Sequence, residues 1–338
     1  MTDWFYRLRA ERQLERVADQ KISLESDAFA AQTVLSCISP GTETAAYAAL
    51  TPLRAGVDRF PRLMGYMNVA RVSEAGEATS TCPGDLVYTH KHHCSGFVGK
   101  DSDLLLKLRD EDLSLGIEVL YLYRLALNAV RRGNGQAGQD VLILGSGAIG
   151  LASADLANAL SMRAKILSDH DPVSDKCVEL NIAHSSKSKA IDELDNMTGR
   201  LEGICDLVIV TSNTWTDWQV ALRSVRFNGT IAVLGFPGRG LIEIPRNPLD
   251  SAFFYDRQIT IVSCGFGQDQ PMGAENEIAP PQTLQSDMAY LLELARAKRI
   301  RPKGLIGTMM AATDYPNALD TLLGSRDFAG TISLDWSS

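Results

Sequence analysis

The apolar positions of this 338-residue chain fall into two patterns. In roughly the first third, short apolar runs are separated by turn residues. Ala31–Ile38 predicts a strand that runs into the turn Ser39-Pro40-Gly41-Thr42-Glu43. Residues 44–50 predict a short helix capped by Thr42 or Thr44. Pro61–Val72 predicts a turn into a strand, and Leu86-Val87-Tyr88 a strand after the turn Pro83-Gly84-Asp85. From Ser114 the spacing changes. Leu120, Tyr123, Leu127 and Val130 recur three or four residues apart and predict a helix over 115–131. Strands at 141–144, 164–168, 205–210, 229–236 and 258–263 then alternate with helices at 151–160, 174–180 and 215–225. That alternation predicts an α/β fold with a parallel, doubly wound sheet. Gly265–Pro281 reads as a long loop and 284–297 as a helix. The tail holds a short helix around 316–323 and a strand at 330–336.

One stretch organises the second pattern. The run Val141–Leu144 leads into Gly145-Ser146-Gly147-Ala148-Ile149-Gly150, a Gly-x-Gly-x-x-Gly turn, and then into a helix. Strand, glycine turn and helix in that order form a dinucleotide-binding context. The first glycine allows a tight turn, the second lets backbone approach a pyrophosphate, and the third lets helix pack on strand. The helix N-terminus then presents N–H groups to the phosphates. A second strand, Ala164–Ser168, ends at Asp169, nineteen residues beyond Gly150 (169 − 150). An acidic residue there accepts hydrogen bonds from ribose hydroxyls and repels a 2′-phosphate, which favours NAD(H) over NADP(H). The plainer reading of Asp169 is a turn residue. The nicotinamide end is expected at the C-terminal ends of the later strands: Thr211 and Ser212, Gly235 and Phe236, Ser263 and Cys264.

Composition narrows the classes. The chain is 45% hydrophobic and 22% charged, with a net charge of −8 and no long basic run. Nucleic acid and anionic membrane are disfavoured as partners, and a small-molecule substrate is expected. Met1–Arg7 holds no apolar h-region, so no signal peptide is expected, and no run of about 18 apolar residues exists. Six scattered cysteines without a Cys-x-x-Cys pair fit reduced thiols in the cytoplasm.

The order of these parts resembles the medium-chain dehydrogenase/reductase superfamily, the zinc alcohol dehydrogenase relatives. The resemblance rests on Ser39–Glu43, Pro61–Gly65, Pro83–Val87, Gly138–Leu151 and Asn228–Gly235. Within it, Ile38–Glu43 and Gly65-Tyr66 are most similar to the branch that includes bacteriochlorophyllide hydroxyethyl dehydrogenases. The resemblance implies a GroES-like β-rich catalytic domain from 1–115 and 283–338, and a Rossmann domain from 116–282. It implies a homodimer joined through the edge strand Gln258–Ser263. Zinc members carry a ligand cysteine where Pro40 stands and a ligand histidine where Tyr66 stands. A third ligand falls near Tyr121, with Glu118 close by, and the four-cysteine structural lobe is absent. The departures imply a zinc-independent member.

The expected activity is hydride transfer between nicotinamide and a carbonyl or alcohol. Reduction of an activated C=C bond is the alternative. A redox-neutral or non-redox enzyme that retains NAD, or a binding protein, is a further one. Without a metal, hydrogen-bond donors must stabilise the reacting oxygen. Thr42 matches the family's proton-relaying hydroxyl, Tyr66 replaces a ligand, Tyr121 is a neighbour, and His90 or His93 is a candidate acid. Each has a plainer role: Thr42 as a helix cap, the tyrosines as filling, Glu43 as a structural hydrogen bonder. His90, His92, His93 and Cys94 are also metal-ligand types, or simply a polar loop.

Overall fold

The structure, a computed structural model, describes residues 3–19, 23–51, 59–195, 203–235, 249, 251–265, 283–324 and 328–337. The chain opens with a hairpin, β1 (Trp4–Ala10) and β2 (Gln13–Ala18), then the long strand β3 (Ala28–Cys37) and helix α1 (Pro40–Tyr47). Five strands follow: β4 (Arg62–Leu63), β5 (Asn68–Ala75), β6 (Leu86–Thr89), β7 (Gly96–Lys100) and β8 (Leu104–Leu108). Two short 3₁₀ turns lead into α2 (Leu120–Arg132). The alternating part runs β9 (Asp140–Leu144), α3 (Ala148–Ala159), β10 (Arg163–Leu167), α4 (Asp171–Glu179), β11 (Ala183–Ser185), α5 (Lys187–Asp195), β12 (Cys205–Val210), α6 (Trp215–Ser224), β13 (Val225–Val233) and β14 (Thr260–Ser263). The chain then returns through α7 (Leu284–Arg296), β15 (Ile306–Ala311), α8 (Tyr315–Gly324) and β16 (Thr331–Asp335).

Three sheets result among the described residues. A small one has the order β2-β1-β4. A larger one has the order β15-β16-β3-β5-β6-β8, with β7 also on β3, so segments from both ends of the chain share it. The third is parallel, with the order β11-β10-β9-β12-β13-β14. Numbered from β9, that is third, second, first, fourth, fifth, sixth: the doubly wound dinucleotide arrangement. Val141–Leu144 on the central strand are buried on both faces, as a parallel strand under two helical layers must be. Cutting Ile143 to alanine removes about 2–5 kcal/mol.

The apolar period of α2 understates its burial. Every side chain from Leu120 to Val130 is buried, because the helix packs on α3 and α7 and runs between the mixed and the parallel sheet. Its Arg124 and Tyr123 still meet charge: Tyr123 donates to Asp155 at 2.8 Å.

Several sequence boundaries shift. Helix α1 begins at Pro40, four residues before the expected start, and neither Thr42 nor Thr44 caps it. The Glu43 carboxylate takes that role, accepting from Ser39 N–H at 2.7 Å, while Thr44 bonds back to the Pro40 carbonyl. Strand β13 begins at Val225 rather than at Gly229. The hairpin, β7, β8, β11, α5 and β15 have no counterpart in the sequence reading. The expected loop 265–281 lies outside the described residues from 266 onward, and so does Phe236.

Candidate functional site

The strand register lays out the first half of the site. Leu167, Leu144, Val210, Val233 and Ser263 stand in one row across the parallel sheet. The residues immediately beyond this row therefore form its C-terminal edge: Ser168-Asp169, Gly145-Ser146, Thr211-Ser212, Leu234-Gly235 and Cys264. That edge is the crevice position at which such sheets bind ligands.

Three glycines shape it, each for a different reason. Gly145 has φ +101, and a Cβ there would collide with Thr211 and lie 2.7 Å from Ser212 N. A Cβ on Gly150 would overlap the Gly145 carbonyl, so α3 can sit directly on the turn. A Cβ on Gly147 would meet nothing within 4 Å. The protein thus leaves open space at the glycine where a pyrophosphate would approach, beside the first turn of α3 with Ala148 and Ile149. The cradle fits a dinucleotide. Thr211 closes it from below, its hydroxyl donating to the Leu144 and Gly145 carbonyls at 3.2 and 3.1 Å. Gly235 is forced by close approach to the Thr211 and Ser212 backbone. Ser146 and Ser168 hydroxyls meet at 3.3 Å, linking the turns after β9 and β10.

Asp169 is exposed at the edge, but its carboxylate already has partners. Ser186 Oγ donates to Oδ1 at 2.7 Å, and Ser188 N–H donates to Oδ2 at 2.7 Å. The Ser186 hydroxyl holds its pKa below the usual carboxylate value. The side chain thus takes one N–H at the start of α5, beside the Ser186 hydroxyl that accepts from Lys189 N–H at 3.1 Å, a contact the sequence did not show. Each carboxylate oxygen has more than one lone pair, so a ribose hydroxyl can still be accepted.

The second half of the site is a knot of rings. Tyr66, His90 and Tyr121 meet edge to face, with centroid separations of 5.4 Å for Tyr66–Tyr121, 4.5 Å for His90–Tyr121 and 6.4 Å for Tyr66–His90. His90 Nδ1 lies 2.8 Å from the Tyr66 carbonyl oxygen. The Tyr66 phenol donates to Ser39 Oγ at 2.5 Å. Burial pushes its pKa well above the ordinary value, the hydroxyls of Ser39 and Thr42 hold it back, and negative charge at Glu43 pushes it further. Thr42 itself is exposed on α1. Four of the five catalytic candidates, Thr42, Tyr66, His90 and Tyr121, are therefore neighbours.

The fifth, His93, lies behind them. It is fully buried, with Nδ1 2.8 Å from Ser36 Oγ and Nε2 2.9 Å from Glu43 Oε2. Both ring nitrogens are engaged within the protein, and the ring does not face the cleft surface. His92 packs edge-on against Phe5 at 5.4 Å, and burial lowers its pKa to about 4. The three rings part ways, and among the described residues no three of His, Cys, Asp and Glu converge where they could hold a metal ion.

Helix α2 joins the two halves. Tyr121 in its first turn faces Tyr66 and His90, and Asn128 donates to the Cys264 carbonyl at 2.8 Å. Seven residues of helix span about 10 Å, so the ring cluster stands roughly that far along α2 from the end of β14. Ser263 is exposed at that end, and Cys264 is buried, its thiol pushed up to about 11 chiefly by that burial. Sequence reasoning missed Ser36, Ser39, Tyr315, Trp336 and Asn128. Tyr315 reaches Glu43 across 272 residues and Trp336 reaches Ser36 across 300, separations that no local pattern encodes.

No family model matches the sequence. A sorbitol dehydrogenase of Bacillus subtilis (strain 168) is 26% identical over 203 residues, 58% of this chain and 55% of that protein. The matched region thus spans about half the length of that curated relative. A short chain alcohol dehydrogenase from E. coli CFT073, solved in complex with NADH, superposes with a TM-score of 0.77 at 13% identity, covering 99% of this chain and 100% of that one. A putative NADPH:quinone reductase from Bacillus thuringiensis superposes with a TM-score of 0.75 at 15% identity, covering 99% of each chain. No helix among the described residues is long and apolar enough to cross a membrane. The strand orders and these superpositions agree on architecture: the chain shares the fold of these dehydrogenase and reductase structures, a GroES-like β-rich part joined to a Rossmann doubly wound sheet.

Proposed function

We propose that this chain is a zinc-independent, nicotinamide-dependent oxidoreductase acting between NAD(H) and a carbonyl or alcohol of a small organic substrate. The observation that carries the reading is the junction made by α2, which ties the ring cluster at Tyr121 to the nicotinamide end of the cradle at Cys264. The parts 1–115 with 283–338 and 116–282 are read as its catalytic and cofactor domains.

Bound nicotinamide supplies the hydride chemistry. The chain's own residues do the rest. Backbone N–H groups at Gly147, Ala148 and Ile149 face the pyrophosphate, and Asp169 takes the ribose. Thr211, Ser212, Gly235, Ser263 and Cys264 frame the nicotinamide end. Pro40 and Tyr66 replace ligand side chains, and proline and a neutral phenol are poor zinc donors. Tyr66, a neutral phenol at physiological pH because burial holds its proton, is the hydrogen-bond donor to the reacting oxygen once its single O–H turns away from Ser39 Oγ. The hydroxyls of Ser39 and of Thr42, which is exposed to solvent, relay a proton from water back to the phenolate, and His90 and Tyr121 orient the ring.

The test is product identification with purified protein, NADH and NADPH, and a panel of ketones, polyols and enones. Alcohol from ketone supports the reading. A saturated ketone from an enone makes the chain a C=C reductase. Tight NADH binding without turnover makes it a binding protein, and cofactor retained with no net release makes it a redox-neutral enzyme. Stoichiometric zinc in the active sample ends the zinc-free part. The same reading takes the strand at Gln258–Ser263, an edge of the parallel sheet among the described residues, as a homodimer contact in the cytoplasm. A monomeric mass in solution ends that part.

A further inference from the structure

Beneath the ring cluster lies a buried carboxylate that the mechanism above does not use. Glu43 is 2% exposed, yet both its oxygens are occupied. Oε1 accepts from Ser39 N–H at 2.7 Å, and Oε2 accepts from Tyr315 O–H at 2.5 Å and lies 2.9 Å from His93 Nε2. A carboxylate only accepts, so at the 2.9 Å contact with Glu43 it is His93 Nε2 that carries a proton and donates. Trp336 Nε1–H, which can only donate, gives its proton to Ser36 Oγ at 2.9 Å. Ser36 Oγ in turn lies 2.8 Å from His93 Nδ1, so both faces of the imidazole are held. Three donors converge on one carboxylate, which is the arrangement that makes a buried carboxylate tolerable.

The same groups touch both anchors of Tyr66. Ser39, whose N–H is held by Glu43, is the residue whose Oγ receives the Tyr66 phenol. Gly65, the residue before Tyr66, has φ +94, and a Cβ there would stand 2.6 Å from the His93 ring. The imidazole thus occupies the space under the turn that carries Tyr66, and His93 N–H donates to the Met64 carbonyl at 2.8 Å.

We propose that Glu43 is the positioning residue for Tyr66: clamped by His93 and Tyr315, it holds Ser39 beside the phenol oxygen, where the serine hydroxyl can also turn to donate to a phenolate, and keeps a negative charge behind the phenol. This rests on reading Tyr66 as the proton donor. The groups facing the phenol are Ser39, Thr42 and Glu43 on and before α1, Cys37 at the end of β3, His90 on its loop and Tyr121 on α2. Of these, Glu43 and Cys37 act to keep the proton on, and the Ser39 and Thr42 hydroxyls act to release it.

Opposite signs make the test. Difluorotyrosine placed at position 66 of the full chain, which ionises at lower pH than tyrosine, reports its own titration by fluorine NMR without any turnover. In Glu43→Gln the transition is expected to fall by about one pH unit, the size of one partly buried charge removed. In Ser39→Ala it is expected to rise. General loosening, which admits water to the ring, would lower both. Transitions that move together, or do not move, overturn the proposal. If Glu43→Gln fails to fold, Ser39→Ala decides alone: a rise supports the proposal, and a fall or no change overturns it. Full activity in Tyr66→Phe would end the proton-donor reading and leave the fluorine result standing.

Discussion

The cradle after β9 and the ring cluster around Tyr66 are assembled from different materials. The cradle is backbone: one turn, three glycines, and the first N–H groups of α3, all within 145–150. Its requirements are steric, and they are met by what the residues lack. The ring cluster is made of side chains from separate segments: Ser39 and Thr42 around the start of α1, Tyr66 on its turn, His90 on a loop, Tyr121 on α2. Behind it stand His93, Tyr315 and Trp336. A backbone site tolerates no added atom at a few positions and is indifferent elsewhere. A side-chain site fails by degrees, through any of several distant partners.

The sharpest way to break this contrast is Tyr66→Phe. Its kcat is expected to fall about 10²–10³-fold, the usual worth of a positioned proton donor, with NADH affinity unchanged. Steady-state rates and a fluorescence titration on the same sample check it, and a variant with half the native rate would sink the role given to Tyr66. Next come the glycines. Gly150→Ala is expected to weaken NADH binding about 100-fold, or about 2.7 kcal/mol, and to lower Tm, because α3 must move off the Gly145 carbonyl. Gly147→Ala meets no protein atom and is expected to keep Tm while losing about tenfold in NADH affinity. Native-like binding in Gly147→Ala would mean the pyrophosphate does not pass there.

Alkaline pH separates the regions by a smaller margin. Burial holds the phenols of Tyr66, Tyr88, Tyr123 and Tyr315 above the ordinary value of 10.0. The folded chain therefore keeps these protons longer than the unfolded chain. The stability they contribute is complete below about pH 10 and is lost as pH rises further, by about 1.4 kcal/mol per unit for each phenol. Urea midpoints at rising pH should fall steeply above 10, and a flat profile would mean these rings are not buried. The smallest effect expected is in Asp169→Ser. NADPH should gain on NADH by about tenfold once the carboxylate stops repelling a 2′-phosphate. A native preference for NADPH would overturn the assignment at once, and a loss of stability without a change in preference would leave Asp169 only its bonds to Ser186 and Ser188.

The contrast also explains what the sequence disclosed. The strand–glycine–helix order, the alternation after 140 and the marker segments were enough to give the doubly wound sheet, because local spacing determines those elements. The edge residues followed, since a parallel register carries Leu144 to Val210, Val233 and Ser263. The β-rich part was less legible. The hairpin Trp4–Ala18 and strands β7 and β8 mix charged and apolar residues, and their pairing is with distant segments. His93 looked like His90 because both sit in one polar run, and only the tertiary fold turns one toward Tyr66 and the other toward Glu43. Asp169 stands just past the end of β10, and its hydrogen bonds to Ser186 and Ser188 were not legible because those residues lie beyond any window that starts at the glycines.

The sharing of one sheet by β3 and β16 has a consequence for the order in which the molecule can be made. Ser36 and Cys37 leave the ribosome almost three hundred residues before Ser333 and Trp336, with which they pair and bond. All six strands of the parallel sheet emerge in between. A nascent chain can therefore close its cofactor cradle while His93 and Glu43 still await Tyr315 and Trp336. Glu43 and Ser36 gain Tyr315 and Trp336 as partners only when the segment carrying β15, α8 and β16 returns to β3.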